Sequence, residues 1–450
     1  MTLSLRRSLA AFSVLVMAGC SAVGPDYVPP KAEASAQFVG GGSSALVDAA
    51  QVAWWKSLKE PLLNELIAKG LAQNLDIAAS LERIEAARAQ LGQTGENAQV
   101  TGGIGVQSTR RDAGAGRVRT NAVSGDANFV FDLFGGFRRG VEQAEAGLEQ
   151  AQFNASTVRL GYLAELTSSY VNARYFQNAA EISRRTITSQ NRTLELVRIR
   201  LDAGDASQLE VQQARQVLDR SKADLPILRA NFEANVFRMA TLLAQPAGPL
   251  LVQMQRGARL PSPNRIGKTG VPADLVRNRP DIRAAERALA AATAGIGVAE
   301  AQLYPSLNLR GDIAISSQGT WSFGPAIALP VLNRGVLAAR RNAAISQAKQ
   351  AEIEWRSVVF SATEDVQTSL SLLQGLNGQV AAFRRVTDAS TNLVALSRAS
   401  YENGASPITD VLDAETALSS SRFSLLGARR DLVLAWVELQ VATGKGWLAL

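Results

Sequence analysis

The residues able to do chemistry in this chain are few. Its 450 residues include no histidine and one cysteine, Cys20. Histidine-based metal sites and triads, and any internal disulfide, are thereby removed. The most suggestive acidic pair is Asp410 and Asp413, in Thr409-Asp410-Val411-Leu412-Asp413-Ala414. Three residues apart, their carboxylates share one face of a helix. A glycosidase holds its two acids across a cleft, whereas this pair lies inside a heptad repeat. Two readings of the pair stand. It is an acidic first turn that complements the helix dipole. Or, in a symmetric oligomer, it makes stacked carboxylate rings that select cations and repel each other as an opening narrows. No catalytic, cofactor or metal site is expected. The chain is basic, with 47 Lys and Arg against 40 Asp and Glu. Those cations are scattered along helices without aromatic-interleaved blocks, so no nucleic-acid partner is expected.

The lone cysteine closes a secretory leader. Arg6 and Arg7 precede an apolar run, Leu9 to Ala18, and then Gly19-Cys20. Met17-Ala18-Gly19-Cys20 resembles a bacterial lipobox, with Met17 where Leu is more usual. That resemblance implies removal of a signal peptide, residues 1–19, and acylation of Cys20. Ser21, rather than Asp, implies sorting to the outer membrane. Residues 20–50 are rich in Pro, Gly, Ala and Ser and read as an extended, lipid-anchored tether. After the leader no apolar run reaches about 18 residues, so no transmembrane helix is expected.

The remainder is an internal repeat. Gly204-Asp205-Ala206-Ser207 matches Gly404-Ala405-Ser406-Pro407 at an offset of 200 residues. Val211, Leu218, Leu225, Phe232 and Met239 step by seven, and so do Val411, Leu418, Leu425, Leu432 and Leu439. A seven-residue apolar period specifies supercoiling helices. Residues 136–201 and 335–401 each read as one helix, about 100 Å long at 1.5 Å per residue. The expected divisions are a first repeat over 51–250, a linker over 251–270 and a second repeat over 271–446.

Each repeat also contains period-two alternation, the mark of strands. It runs over Val123–Leu133, Ser306–Ser316 and Trp321–Leu329, and more weakly over Val100–Val106. Asp126, Asp132, Arg310 and Asp312 are expected on the polar face, opposite the apolar side. Hairpin loops are expected at Thr109–Ala122 and Ser317–Thr320. The first holds Arg110, Arg111, Arg117 and Arg119, read either as a solvated loop or as a contact for lipopolysaccharide phosphates. Strands of about 10 residues span a bilayer when tilted near 45°. Four strands cannot close a membrane barrel, and open edges do not persist in lipid. Three copies would supply twelve strands.

At this point the chain resembles the TolC family of outer-membrane factors, in its NodT-like lipoprotein branch. The likeness rests on Cys20-Ser21-Ala22-Val23-Gly24-Pro25-Asp26-Tyr27, on Trp54-Trp55 with Leu58, Pro61, Leu62, Leu66 and Ile67, and on Val271–Arg283. The last includes Arg279-Pro280-Asp281-Ile282-Arg283 and continues through Ile296-Gly297-Val298-Ala299 to Tyr304-Pro305-Ser306. The resemblance implies an α+β membrane protein: a homotrimer with a 12-stranded outer-membrane barrel, continued by a helical periplasmic tunnel. It implies a passive duct exporting drugs or toxic small molecules. The implied partners are outer-membrane lipid, a periplasmic adaptor and an inner-membrane transporter of the resistance-nodulation-division type.

The resemblance also assigns residues. It places adaptor contacts at the helical tips, Gly204, Asp205, Ala206, Ser207, Asn403, Gly404, Ala405 and Ser406; by themselves these are ordinary turn residues. It places the aperture gate at Asp410 and Asp413. Tyr401 and Glu210 match members of its gate tether. Ser406 stands where an Arg sits in the best-known pattern, so a salt bridge at that place is not available. The competing reading is a non-conducting coiled-coil lipoprotein scaffold in the periplasm.

Overall fold

A computed structural model describes residues 22–31, 37–39, 48–113, 116–257, 259–263, 270–315 and 319–448. Cys20, the leader and Ser317 of the second hairpin lie outside the described residues. In chain order the elements are α1 (Pro61–Gln73), α2 (Leu75–Leu91), β1 (Val100–Ala113), β2 (Gly116–Phe131), α3 (Gly136–Asp202), α4 (Gln208–Leu242) and α5 (Ala247–Met254). Then come α6 (Pro272–Asn278), α7 (Pro280–Ala301), β3 (Ser306–Ile315), β4 (Thr320–Ala328), α8 (Arg334–Glu402) and α9 (Ile408–Ala442). Proline opens α1, α6 and α7, where its missing N–H has no partner to lose. The two long helices begin and end within a residue or so of the expected bounds.

Contacts group the chain into two units, each drawing on both repeats. One comprises Met1–Glu33, Ser80–Ala155 and Pro280–Val359; the other comprises Ala34–Ala79, Ser156–Arg279 and Phe360–Leu450. The first unit holds the sheet, in order β1-β2-β3-β4 and antiparallel throughout. Its register pairs Asp126 with Asp312, Asn128 with Arg310, and Arg310 with Gly324. One face therefore carries Asp126, Asn128, Arg310, Asp312 and Ser322. The other carries Ile104, Val106, Val123, Phe129, Leu309, Ile313, Trp321 and Phe323.

Two strand expectations are corrected. Residues 109–113 and 116–122 are not a loop, because the β1–β2 ladder continues to Ala113↔Gly116. Thr109, Val118 and Thr120 suit extended backbone, and the ladder needs no apolar face to hold its hydrogen bonds. Asp132 is not on the polar face of the sheet, since β2 ends at Phe131. Its carboxylate accepts from the backbone N–H groups of Phe137 (3.2 Å) and Arg138 (3.1 Å). It thus satisfies donors that the first turn of α3 leaves free.

The second unit packs α1, the part of α3 from Ser156 onward, α4 and α5 around Leu63, Leu66, Leu163, Leu166, Tyr170, Met239 and Leu250, all almost fully buried. Trp54, in a short 3-10 turn, meets Trp436 of α9 edge-on at 5.8 Å and donates its indole N–H to the Lys445 carbonyl. Part of the expected linker is helical. Arg174 of α3 caps the end of α5 by donating to the carbonyls of Met254, Arg256 and Gly257. The predicted seam is largely internal, with Val211, Leu218, Phe232, Met239, Val411, Leu418 and Leu439 buried.

Candidate functional site

The sheet is inside out by the standard of a water-soluble protein. Its apolar face is exposed: Ile104 is 85% exposed, Trp321 79% and Phe323 70%. A continuous apolar surface of this kind marks contact with lipid or protein. The polar face carries the opposed pair Asp126 and Asp312, with Ser322 donating to Asp312 at 3.1 Å. Apolar outside and polar inside is the pattern of a wall between lipid and a wet lumen. Among the described residues the outer strands β1 and β4 each have one unpaired edge. Among the described residues no helix is long and apolar enough to cross a membrane.

The two helical turns of the second unit have the same backbone. Gly204 and Gly404 take φ of +83° and +73°. In each, the glycine N–H bonds three residues back, to Leu201 or Tyr401. The next N–H bonds five back, from Asp205 to Arg200 and from Ala405 to Ser400. This is the Schellman helix end, which needs a left-handed residue after the helix. The following helix starts differ. Ser207 and Glu210 form a capping box, with Ser207 N–H donating to the Glu210 carboxylate at 2.6 Å. At the second turn Pro407 is the N-cap and has no N–H to offer. Asp410, at the place of Glu210, therefore has no such donor. Asp410 and Asp413 are both exposed, beside buried Val411, Leu412 and Ala414.

Tyr401 and Glu210 are neighbours without a hydrogen bond between them. Tyr401 packs in a cluster with Leu194, Val197, Val211, Leu218 and Ile408. Arg200 lies over its ring at 4.7 Å and donates to its carbonyl. Its hydroxyl is buried without a hydrogen-bond partner. Burial raises the Tyr401 pKa, the Glu210 charge adds to the rise, and Arg200 opposes it.

The tightest polar cluster beneath the turns was not singled out by sequence reasoning. Glu415 of α9 has a side chain 3% exposed. One of its oxygens, Oε1, accepts from Arg398 of α8 at 2.7 Å and from Ser189 and Thr193 of α3, each at 2.9 Å. Its Oε2 is buried without a partner. A signal existed in the repeat. The positions 200 residues earlier hold Arg215 for Glu415, and the positions 200 later than the two hydroxyls hold Ala389 and Leu393. Acid and hydroxyls occur together in only one pairing of the halves.

Comparison with known proteins bears on this geometry. The family model described as outer membrane efflux protein matches residues 66–245 and 271–445. The chain belongs to that family. Nodulation protein T of Rhizobium leguminosarum bv. trifolii is 35% identical over 98% of this chain and 97% of its own length. The toluene efflux pump outer membrane protein TtgC of Pseudomonas putida is 28% identical over 97% of this chain and 95% of its own. Among solved structures, the outer-membrane channel OprN superposes with a TM-score of 0.85 at 29% identity, covering 95% of this chain and 99% of that one. This efflux protein is an outer-membrane channel, a duct without catalytic chemistry, whose helices extend on the periplasmic side.

In this channel the residues after Cys20 are strapped down rather than loose. Val23 donates its N–H to the Phe134 carbonyl at 3.0 Å. Arg139, almost fully buried, donates to the carbonyls of Val23 and Gly24 and to the Asp26 carboxylate at 2.7 Å. Gly24 lies so close to Gly297 that a Cβ on it would come within 2.5 Å of the Gly297 Cα. Both glycines belong to the stretches that carried the family resemblance, and close backbone approach is the reason for them.

Proposed function

We propose that three copies of this channel join edge to edge, β4 of one against β1 of the next, to close a twelve-stranded barrel that opens into a helical periplasmic duct. The observation that carries this reading is the sheet itself: an exposed apolar face backed by a charged one, with two edges unpaired. An open edge in lipid leaves backbone groups unsatisfied, at several kcal/mol each, and further copies remove it. The duct exports small toxic molecules, with an adaptor and an inner-membrane transporter of the resistance-nodulation-division type completing the assembly. The tips Gly204, Asp205, Ala206, Ser207, Asn403, Gly404, Ala405 and Ser406 meet the adaptor. Acyl chains on Cys20 anchor each copy in the outer membrane.

Asp410 and Asp413 are the aperture. Their exposure and the lack of a capping donor at Pro407 support this, because both carboxylates remain free to face a pore. Tyr401 and Glu210, packed beneath, steady the gate through that cluster and the cap, and the Glu415–Arg398 pair ties α9 to α3 and α8. Planar-bilayer recording tests the assignment. Asp410→Ala with Asp413→Ala is expected to raise conductance and weaken cation preference. Unchanged conductance and selectivity would overturn it. Detergent extraction tests the oligomer: a heat-resistant trimer is expected, and a monomer with no channel activity would overturn the barrel. Cys20→Ala is expected to abolish acyl labelling.

A further inference from the structure

The first hairpin is longer than the second, and its extra length has an ordered chemistry. β1 and β2 stay in register beyond Val106↔Val123, through Ser108↔Asn121 and Arg110↔Arg119. Among the described residues β3 pairs with β2 from Ile315, opposite Val123. Side chains alternate along a strand. The pairs Ser108↔Asn121 and Arg110↔Arg119 therefore continue the apolar face of the sheet. Away from the helices that face reads apolar, then hydrogen-bonding, then cationic. The opposite face of the same stretch carries Gln107, Thr109, Thr120 and Ala122, and Arg111 follows on that face, opposite Val118.

This order matches the layers of a membrane boundary. Trp321, the most exposed aromatic of the apolar face, stands level with Ile104 near the edge of the band. Tryptophan favours that interfacial depth. Four residues separate Val106 from Arg110. At about 3.3 Å per residue and a tilt near 45°, the arginine pair lies about 9 Å above the last apolar pair. Arg119 turns back toward the band, its Nε donating to Ser108 Oγ at 3.3 Å, and Ser108 donates to Asn121 at 2.8 Å. The guanidinium is thereby drawn toward headgroup depth.

Two like charges set directly opposite on one face destabilise a ladder. Among the described residues neither arginine forms an ion pair with a carboxylate. An anion between them removes the repulsion, and the planar fork of a guanidinium fits phosphate oxygens two at a time. We propose that Arg110 and Arg119 form a clamp for the phosphate groups of an anionic glycolipid in the outer leaflet. The clamp continues the lipid-facing band and rests on the outer-membrane barrel reading.

The full-length channel, held in neutral detergent, is mixed with diphosphoryl lipid A, monophosphoryl lipid A or phosphatidylcholine. Native mass spectrometry then counts the lipids retained per trimer. The wild type is expected to prefer diphosphoryl lipid A over phosphatidylcholine by about tenfold, the scale of one charge-assisted contact, with the monophosphoryl form between. Arg110→Gln with Arg119→Gln is expected to bring that preference to near unity. Arg110→Lys with Arg119→Lys keeps part of it, and Thr109→Ala with Thr120→Ala, on the other face, keeps all of it. Equal retention by wild type and the glutamine variant, both as heat-resistant trimers, overturns the clamp and leaves the barrel standing. Full displacement of lipid A by millimolar inorganic phosphate overturns the lipid assignment. Failure of the wild type to form trimers overturns clamp and barrel together.

Discussion

The turn at Gly204 and the turn at Gly404 are the same backbone with different chemistry around it. Both end a long helix with a left-handed glycine, and both return the chain into a 35-residue helix, α4 or α9. In the first, the carboxylate at the third helical position serves the fold, capping its own helix through Ser207. In the second, proline removes the donor, and the carboxylates of Asp410 and Asp413 stay in water. The structural acid of the second repeat sits instead at Glu415, inside. Further along, the ends of α4 and α9 differ in the same manner: Ala244 and Gln245 in one, Gly444 and Lys445 in the other, with matching hydrogen bonds back to Ala240 and Gln440. Duplication conserves what the backbone needs, and divergence concentrates in side chains that the backbone does not require.

The largest expected effect breaks that comparison at Glu415. Removing one partner of a buried ion pair costs about 3–5 kcal/mol. Arg398→Ala and Glu415→Ala should each lower the denaturant midpoint of the helical circular-dichroism signal by a corresponding amount. Arg215→Ala, at the matching place, touches only an exposed pair with Asp219 at 3.6 Å and should change stability by less than about 1 kcal/mol. Equal effects at 215 and 415 would show that the halves have not divided these roles.

Next is Lys445 against Gln245. Burial lowers the Lys445 amine from 10.5 to about 8. The unfolded chain then binds more protons between those values, so stability rises with pH across that window and the full penalty applies below it. Lys445→Gln should stabilise the protein at pH 7 by on the order of 2 kcal/mol and flatten the midpoint between pH 8 and 10.5. A variant with an unchanged pH slope would locate the titration elsewhere.

Smaller effects come from the left-handed residues. Gly204→Ala and Gly404→Ala should each cost about 1–2 kcal/mol from the backbone alone, since neither added Cβ meets anything closer than 3.9 Å. Ala244, at φ 46°, already bears that strain, and Ala244→Gly should recover about 1 kcal/mol. Gly444→Ala should cost more than the others, because its Cβ would lie 2.5 Å from the Asn278 carbonyl. The smallest difference is at the caps. Ser207→Ala should cost about 1 kcal/mol, while Pro407→Ala removes no side-chain cap and should leave the midpoint nearly unmoved.

Much of this fold is legible because its signals are local. Heptads without proline dictate the two long helices, and period-two alternation dictates β2, β3 and β4. The extension of β1 and β2 through Arg110 and Arg119 is not legible in that way. Alternation of apolar and polar residues stops there, and only the hydrogen-bonded ladder shows that the strand goes on. Asp132 reads as one more alternating polar residue until the start of α3 is seen to need its carboxylate. Glu415 has no local signature, since its burial depends on Ser189 and Thr193, more than 220 residues away. The strap after Cys20 reads as an extended tether because its composition is that of one; Arg139 and Gly297, distant in sequence, hold residues 23–26 down.

The sequence by itself determined the 200-residue offset, the helix lengths, most of the strand faces, the exclusion of histidine-based chemistry and the family, because each follows from period, composition or contiguous motif. The tertiary structure alone decided which acids are structural and which are free. It also decided where the arginine pair lies relative to the apolar band. The reason is physical: whether a charge is paired, buried or exposed is a property of the helices and strands that surround it, and those neighbours are assembled only when residues hundreds of positions apart meet.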